Sequence, residues 1–203
     1  MKSTLILAGA LTLALAVTGC ASNVKASRTE NPPPVEAYSN FGRIEIKPIV
    51  LAQKFRGQSA NEKSLEKINA NFFKRLGDNP KKWNSGPDNG RKLVIEPVVT
   101  DIRFIGVGAR IFTGPLSGSS GVVIQVKATD VQTGRQIDHP EFYQHSSAGA
   151  GFALGVADNM MLTRVGELVG DYLLRNYDAA VGGMTGATDD VVSGNSKAAA
   201  QSN

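Results

Sequence analysis

A single cysteine, Cys20, is the feature that most limits how this chain can fold. Because there is no second cysteine, an intramolecular disulfide cannot stabilise the fold, which therefore depends on a hydrophobic core. Cys20 ends the sequence Val17-Thr18-Gly19-Cys20 and follows basic Lys2 and an apolar stretch from Leu5 to Val17. A basic start, a short apolar core and a small residue before the cut are typical of a secretory signal peptide.

The four residues that end at Cys20 resemble the lipobox of bacterial lipoproteins. The resemblance implies that residues 1–19 are a lipoprotein signal peptide and that Cys20 is the lipid attachment site, carrying diacylglycerol and further acyl chains such as palmitate. An aspartate directly after the lipidated cysteine tends to retain such lipoproteins in the inner membrane. Here the residue after Cys20 is Ala21, so this retention signal is absent. We therefore expect an outer-membrane anchor, with the domain in the periplasm or, as a second option, at the cell surface.

Two other interpretations of this region fit its residues less well. A permanent transmembrane helix needs about 20 apolar residues, more than Leu5–Val17 provides. An ordinary cleaved signal with a chance cysteine would leave the match at all four lipobox positions unexplained. Lipidation of Cys20 is therefore the favoured interpretation.

Composition divides the remaining chain into three parts. Residues 20–40 are polar and contain Pro32-Pro33-Pro34, which predicts a lipidated flexible linker that spaces the domain from the membrane. Residues 41–181 have the length and apolar content of a single α/β domain. Residues 182–203 are small and polar, which predicts a disordered C-terminal tail.

Hydrophobic periodicity within residues 41–181 predicts the order strand, helix, three strands, helix. The predicted strands cover about residues 42–51, 92–105, 122–131 and 135–144, and the helices about 59–76 and 158–177. Pro48 and Pro140 predict an edge, a bulge or a bend in their strands. This order indicates an α+β fold or α/β sandwich, a mixed four-stranded sheet with two helices on one face.

Some local features admit two interpretations. Ser59 and Glu62 have the spacing of a capping box at the start of the first helix. Trp83 either belongs to a surface recognition patch or, as we favour, covers the edge of the core. Residues 41–92 hold twelve Lys or Arg against five Asp or Glu, which indicates either solvated helix faces or a basic face toward anionic envelope components.

Candidate catalytic residues are few. His139 and His145 are six positions apart, about 20 Å on an extended strand, too far apart to share a metal. Glu141 and His145 are the best candidates for a hydrolase, and neither stands in a recognised catalytic motif. We therefore expect no enzymatic activity, no cofactor, no metal site and no catalytic residue.

From about Arg103 to Tyr177 the chain resembles a family of uncharacterised proteobacterial lipoproteins defined by a domain of unknown function. The residues that carry the resemblance are Gly114, Gly118-Ser119-Ser120, Thr129-Asp130, Thr133-Gly134, Pro140-Glu141-Phe142-Tyr143-Gln144 and Asp158-Asn159-Met160-Met161-Leu162. The element order is also similar to envelope lipoprotein domains that activate peptidoglycan synthases and to periplasmic domains of secretion lipoproteins.

These features predict a non-enzymatic accessory or adaptor lipoprotein held to the membrane by Cys20. The expected partner is another envelope protein or a peptidoglycan-associated component, bound through a sheet edge or the basic first helix, and not nucleic acid. The alternative is a subunit of a larger envelope assembly or secretion complex. Oligomeric state and the partner's identity are left open by the sequence.

Overall fold

The computed structural model describes residues 24–104, 120–146 and 156–193. The signal peptide, Cys20, much of the glycine-rich segment that follows the second predicted strand and the end of the predicted tail lie outside these ranges. The predictions made for those parts of the chain stay predictions.

A mixed α+β fold is confirmed. The strands are β1 (Glu30–Asn31), β2 (Arg43–Ile46), β3 (Val50–Leu51), β4 (Lys92–Arg103), β5 (Ser120–Asp130), β6 (Gln136–Asp138), β7 (Glu141–Ser146) and β8 (Gly183–Met184). The helices are α1 (Ser59–Leu76), α2 (Asn79–Trp83), α3 (Val156–Asp178) and α4 (Asp189–Ser193), with 3-10 turns at Tyr38–Asn40 and Gln53–Phe55.

The antiparallel pair β4–β5 forms the centre of the sheet. β2 and β3 pair with β4 in parallel, because the chain crosses over through α1 and α2 before β4 begins. β6 and β7 pair with β5 on its other side. The core therefore has the predicted order, except that the first and fourth predicted strands are each divided in two.

Proline explains both divisions. Ile46 pairs with Ile95 and Val50 with Val98, so the segment around Pro48 holds one residue more than the facing stretch of β4. Pro140 likewise separates β6 from β7, since proline has no N–H to donate to a ladder.

α1 and α3 pack side by side on one face of the sheet and bury its alternating apolar residues. α1 has the predicted bounds, but its predicted cap is wrong. Gln58 occupies the N-cap position, and the Glu62 carboxylate accepts the backbone N–H of Gly57 at 3.0 Å, so Ser59 is already helical.

Two glycines set the contact between these helices. A Cβ placed on Gly166 would come within 2.6 Å of the carbonyl oxygen of Ile68, and one on Gly170 within 2.9 Å of the Arg75 side chain. The spacing Gly166-x-x-x-Gly170 therefore presents a strip of bare backbone on α3 to α1.

The predicted flexible linker is wrong for the part of it that the structure describes, residues 24–40. Val24, Ala26 and Tyr38 are buried, and the Tyr38 hydroxyl donates to Oδ2 of Asp138 at 2.5 Å. The polar composition that suggested a spacer reflects side chains that bond to the sheet. Such a segment needs no core of its own, because it joins an existing one.

The predicted disordered tail is wrong in the same way for residues 182–193. The Tyr143 backbone N–H donates to the Thr185 carbonyl at 2.7 Å, and Ala187 is buried. β8 pairs with β1, so the two ends of the described chain cover β7 together. Small residues are suited to this layer because the backbone lies close to the sheet.

Candidate functional site

The two histidines make separate contacts within the protein. The His145 ring stacks on Tyr143 with centroids 5.6 Å apart, and burial lowers the pKa of its imidazole. His139 donates its backbone N–H to Oδ1 of Asp138 at 2.8 Å. Within the three described ranges, no three His, Cys, Asp or Glu side chains are close enough to hold a metal ion.

Glu141, the other hydrolase candidate, holds the N-terminal segment. Its Oε1 accepts the backbone N–H of Ser27 at 2.6 Å and the Ser27 hydroxyl at 2.9 Å, and the side chain is buried. Glu141 and His145 are both in β7, but their observed contacts are those of packing residues.

The core interpretation of Trp83 is confirmed. Its ring is buried and stacks on Tyr177 of α3, with centroids 4.5 Å apart and an interplanar angle of 8°. Trp83 therefore joins α2 to the end of α3.

Asparagine side chains close the β2–β3 edge of the sheet. The Asn84 amide accepts the Ile44 N–H at 2.8 Å and donates to the Ile44 carbonyl at 2.9 Å. Asn69 makes the same two bonds to Ile49, both at 2.9 Å. Each amide takes the place of a peptide group in a neighbouring strand, so these positions cannot accept a partner strand.

The opposite edge is covered by the ends of the described chain. The Val35 N–H donates to the Ile137 carbonyl at 2.9 Å on β6, and Asn31 and Thr185 bond to the backbone of β7. The expected docking through a sheet edge is therefore disfavoured on both sides.

A groove of about 590 Å³ lies in the helix layer, and we call it the helix groove. Its lining comes from α1, the second half of α3 and β8: Arg75, Leu168, Asp171, Tyr172, Leu174, Arg175, Gly183 and Met184. A cleft of this size lies in the usual range for ligand pockets, although this one is an open groove.

The groove has a rigid base. The Tyr172 hydroxyl donates into the protein interior, to Oδ2 of Asp138 at 3.0 Å, and its ring meets Phe142 edge-on at 5.2 Å between centroids. Burial raises the pKa of Tyr172, so this phenol stays protonated and is not a candidate for a proton-accepting catalytic group. The floor of the groove is therefore a fixed aromatic surface.

Charge and apolar surface lie side by side in the groove. Arg75 pairs with Asp171 across the two helices, and both side chains are about half exposed. Arg175 is exposed and has no ion-pair partner among the described residues. Leu168 and Met184 add apolar surface, and Met184 is 54% exposed. Arginine and methionine are enriched at protein interfaces, and this arrangement suits a protein partner with acidic and apolar side chains.

Sequence reasoning missed this site. Leu168 has the sequence spacing of the apolar face of α3, together with Met161, Val165 and Tyr172, but it is half-buried in the groove. Of the basic residues in the first helix, only Arg75 contributes to the lining. The available signal was Gly166-x-x-x-Gly170, which predicts a close helix contact and a helix surface of uneven height.

Within residues 24–104, 120–146 and 156–193, every helix is too short or too polar to cross a bilayer.

No protein-family model matches the sequence, and no curated protein matches it. Among solved structures, PelC of Paraburkholderia phytofirmans, which forms a dodecamer, is 15% identical with a TM-score of 0.36, covering 68% of this chain and 93% of PelC. A Xanthomonas campestris protein of family DUF330 is 13% identical with a TM-score of 0.39, covering 76% and 95%. A putative lipoprotein of Caulobacter crescentus is 10% identical with a TM-score of 0.33, covering 70% and 92%. Similarities at this level carry no conclusion about function.

Proposed function

We propose that this chain is a non-enzymatic lipoprotein, anchored to the outer membrane through Cys20, whose domain is an accessory or adaptor for another envelope component. The observation that carries the proposal is the lipobox at Val17-Thr18-Gly19-Cys20, which ends four positions before buried Val24, the first residue that the structure describes. A lipid on Cys20 would hold the domain permanently at a membrane, because two or more acyl chains give stable attachment.

The candidate catalytic side chains make contacts within the fold, which supports a binding role rather than catalysis. Glu141 is bonded to Ser27, Asp138 is bonded to two tyrosines, and His145 stacks on Tyr143. General acid–base catalysis needs a group within reach of a bound substrate's proton. These side chains instead fasten the N-terminal segment and α3 to the sheet.

The helix groove is the surface we assign to the partner. It is open, it combines arginine with apolar side chains, and both sheet edges are occupied. The occupant we favour is a segment of an envelope protein that places an acidic side chain beside Arg175 and an apolar one against Met184. Buried anchors of this kind provide most of the binding energy at interfaces.

Two measurements test the proposal. A Cys20→Ser variant should leave the membrane pellet for the supernatant while keeping its unfolding midpoint. A photo-crosslinking residue at Met184 should give a discrete adduct in intact envelopes, and one at equally exposed Val131 should not. Membrane attachment of the serine variant would refute the Cys20 anchor. Identical adducts at both positions would refute the helix groove as the partner site.

The alternative, a subunit of a larger envelope assembly, predicts a different outcome. Exposed Val181 and Met184 lie near each other in sequence at the C-terminal end of the domain, and a permanent neighbour could cover them. In that case the purified lipidated protein would have the mass of a stable oligomer in detergent, and the Met184 adduct would join two copies of this chain.

A further inference from the structure

The distance from the lipid-bearing residue to the folded domain is short. Val24 follows Cys20 by four positions, and four extended residues span at most about 14 Å. Val24 is buried over β5, where a Cβ placed on Gly121 would lie 3.0 Å from the Val24 Cβ. The described chain thus fixes one end of this tether to the sheet.

Part of that length lies within the membrane. The acyl chains occupy the hydrocarbon, so the chain near Cys20 has to cross a headgroup layer roughly 5–7 Å thick on each side of the bilayer. The remaining tether is shorter than the diameter of one helix, about 10 Å. A domain held in this way has no room to turn its opposite end toward the lipid.

The position of Val24 identifies the end that faces the membrane. Gly121 pairs with Arg103 of β4 and with His145 of β7, so the end of β4, the start of β5 and the end of β7 lie together. α3 starts there as well, because the Ser146 hydroxyl donates to Asp158 at 2.5 Å. We call this the anchor end, and the described residues that define it are Val24, Lys25, Arg103, Phe104, Val156 and Met160.

Exposed apolar side chains occur at the anchor end. Val156 is 51% exposed and Met160 is 47% exposed, both in the first turns of α3. Phe104, which follows β4, is half-buried. A surface that faces lipid headgroups removes such side chains from water, and this contact needs no protein partner.

Electrostatic attraction adds little to this arrangement. The basic residues at or near the anchor end are Lys25, Lys54, Arg56 and Arg103. The acidic ones are Asp101, Asp158 and, in α4, which packs over the same part of the sheet, Asp189 and Asp190. The opposite charges nearly balance. The tether and the apolar contact therefore determine the orientation, and we expect it to depend little on salt.

The geometry points to a preferred orientation in which the anchor end is turned toward the lipid headgroups and the far end, with Val131, faces away from the membrane. This inference rests on the lipidation of Cys20 proposed above. β5 is extended at about 3.3 Å per residue, which places Val131 roughly 30 Å from Gly121. The helix groove, formed by the second half of α3, is then carried away from the bilayer and open to a partner.

The experiment uses the full lipidated protein in vesicles of phosphatidylethanolamine and phosphatidylglycerol that contain a trace of lipid with a nitroxide on its headgroup. Met160→Cys and Val131→Cys variants each carry one free thiol for a fluorescent dye, since acylation blocks the thiol of Cys20. We expect headgroup quenching of the dye at position 160 and none at position 131, at low and high salt alike.

Flotation of the same vesicles separates the possible failures. A protein that does not float with the lipid refutes the anchor, and with it both the proposed function and this inference. A protein that floats but shows equal quenching at the two positions keeps its anchor and refutes the orientation alone. A flexible Gly-Ser spacer inserted between Ser22 and Asn23 should reduce quenching at position 160 without affecting flotation. Full quenching despite the spacer would refute the short tether as its cause.

Discussion

Asn31 and Glu141 are joined by two hydrogen bonds of 2.8 Å, in which the Asn31 side chain pairs with the Glu141 backbone. The Asn31 amide donates to the Glu141 carbonyl, and the Glu141 N–H donates to the Asn31 carbonyl oxygen. Both residues are buried. One side chain thus completes the ladder of β7 and attaches the N-terminal segment to the sheet.

Replacing Asn31 with alanine should reduce the free energy of unfolding by about 2–4 kcal/mol, because two buried backbone groups lose their partners. Urea unfolding followed by circular dichroism measures the change. Asn159→Ala, at an exposed position on α3, is the matched control and should change the value by about 0.5 kcal/mol or less. Equal effects of the two substitutions would contradict the assigned role.

Asp138 gives the fold a specific pH dependence. Burial raises the pKa of its carboxyl, although the hydroxyls of Tyr38 and Tyr172 partly offset that effect. Because the folded-state pKa lies above the unfolded value near 3.8, the folded state favours the neutral carboxyl. The stability from this group is complete below the unfolded pKa and is lost as pH rises through the folded pKa.

An Asp138→Asn variant removes this titration. The natural protein should therefore lose stability relative to the variant as pH rises above about 4. Urea unfolding over a pH series measures it. Arg91 lowers the pKa of Glu36 and of Asp130, so those two carboxylates act in the opposite direction and at lower pH. A constant difference across the series would show that Asp138 keeps an ordinary pKa in the fold.

Gly166 and Gly170 should respond differently to alanine. At Gly166 the new methyl group would meet the rigid carbonyl of Ile68, so we expect a loss of about 1–3 kcal/mol despite the better helix propensity of alanine. At Gly170 the nearest atoms belong to the flexible Arg75 side chain, which can move. The Gly166→Ala variant should unfold at a lower midpoint temperature than the Gly170→Ala variant. The reverse order would argue against this helix contact.

Arg175 should matter for binding and not for folding. Its side chain is exposed at the helix groove, so Arg175→Glu should change the free energy of unfolding by about 0.5 kcal/mol or less. The same substitution should abolish the adduct at Met184, because it reverses the charge offered to an acidic partner. Lys92→Glu, on the opposite face of the sheet, is the control and should leave the adduct intact.

Periodicity was sufficient to predict the core of the fold. The bounds of α1, the long central strands and the interruptions at Pro48 and Pro140 all follow from local spacing and the chemistry of proline. The packed terminal segments could not be predicted from composition. Asn31, Tyr38 and Thr185 bind groups a hundred or more residues away in sequence, and local composition carries no information on such partners.

The candidate site was less accessible to prediction than the fold. The lipidation predicted for Cys20 rests on a local motif in the sequence, whereas the helix groove exists only where α1, α3 and β8 meet. Arg75 and Arg175 are a hundred positions apart and have no shared motif. Their juxtaposition depends on the close helix contact at Gly166, a tertiary property.

The amides of Asn69 and Asn84 have a consequence for a protein confined to a surface. Tethering raises the local concentration of neighbouring copies, because diffusion is restricted to two dimensions. Open sheet edges under such crowding would pair from copy to copy and seed aggregates. If Cys20 carries the proposed anchor, the side-chain amides that bond the backbone of Ile44 and Ile49 would oppose such pairing between neighbouring copies on one membrane.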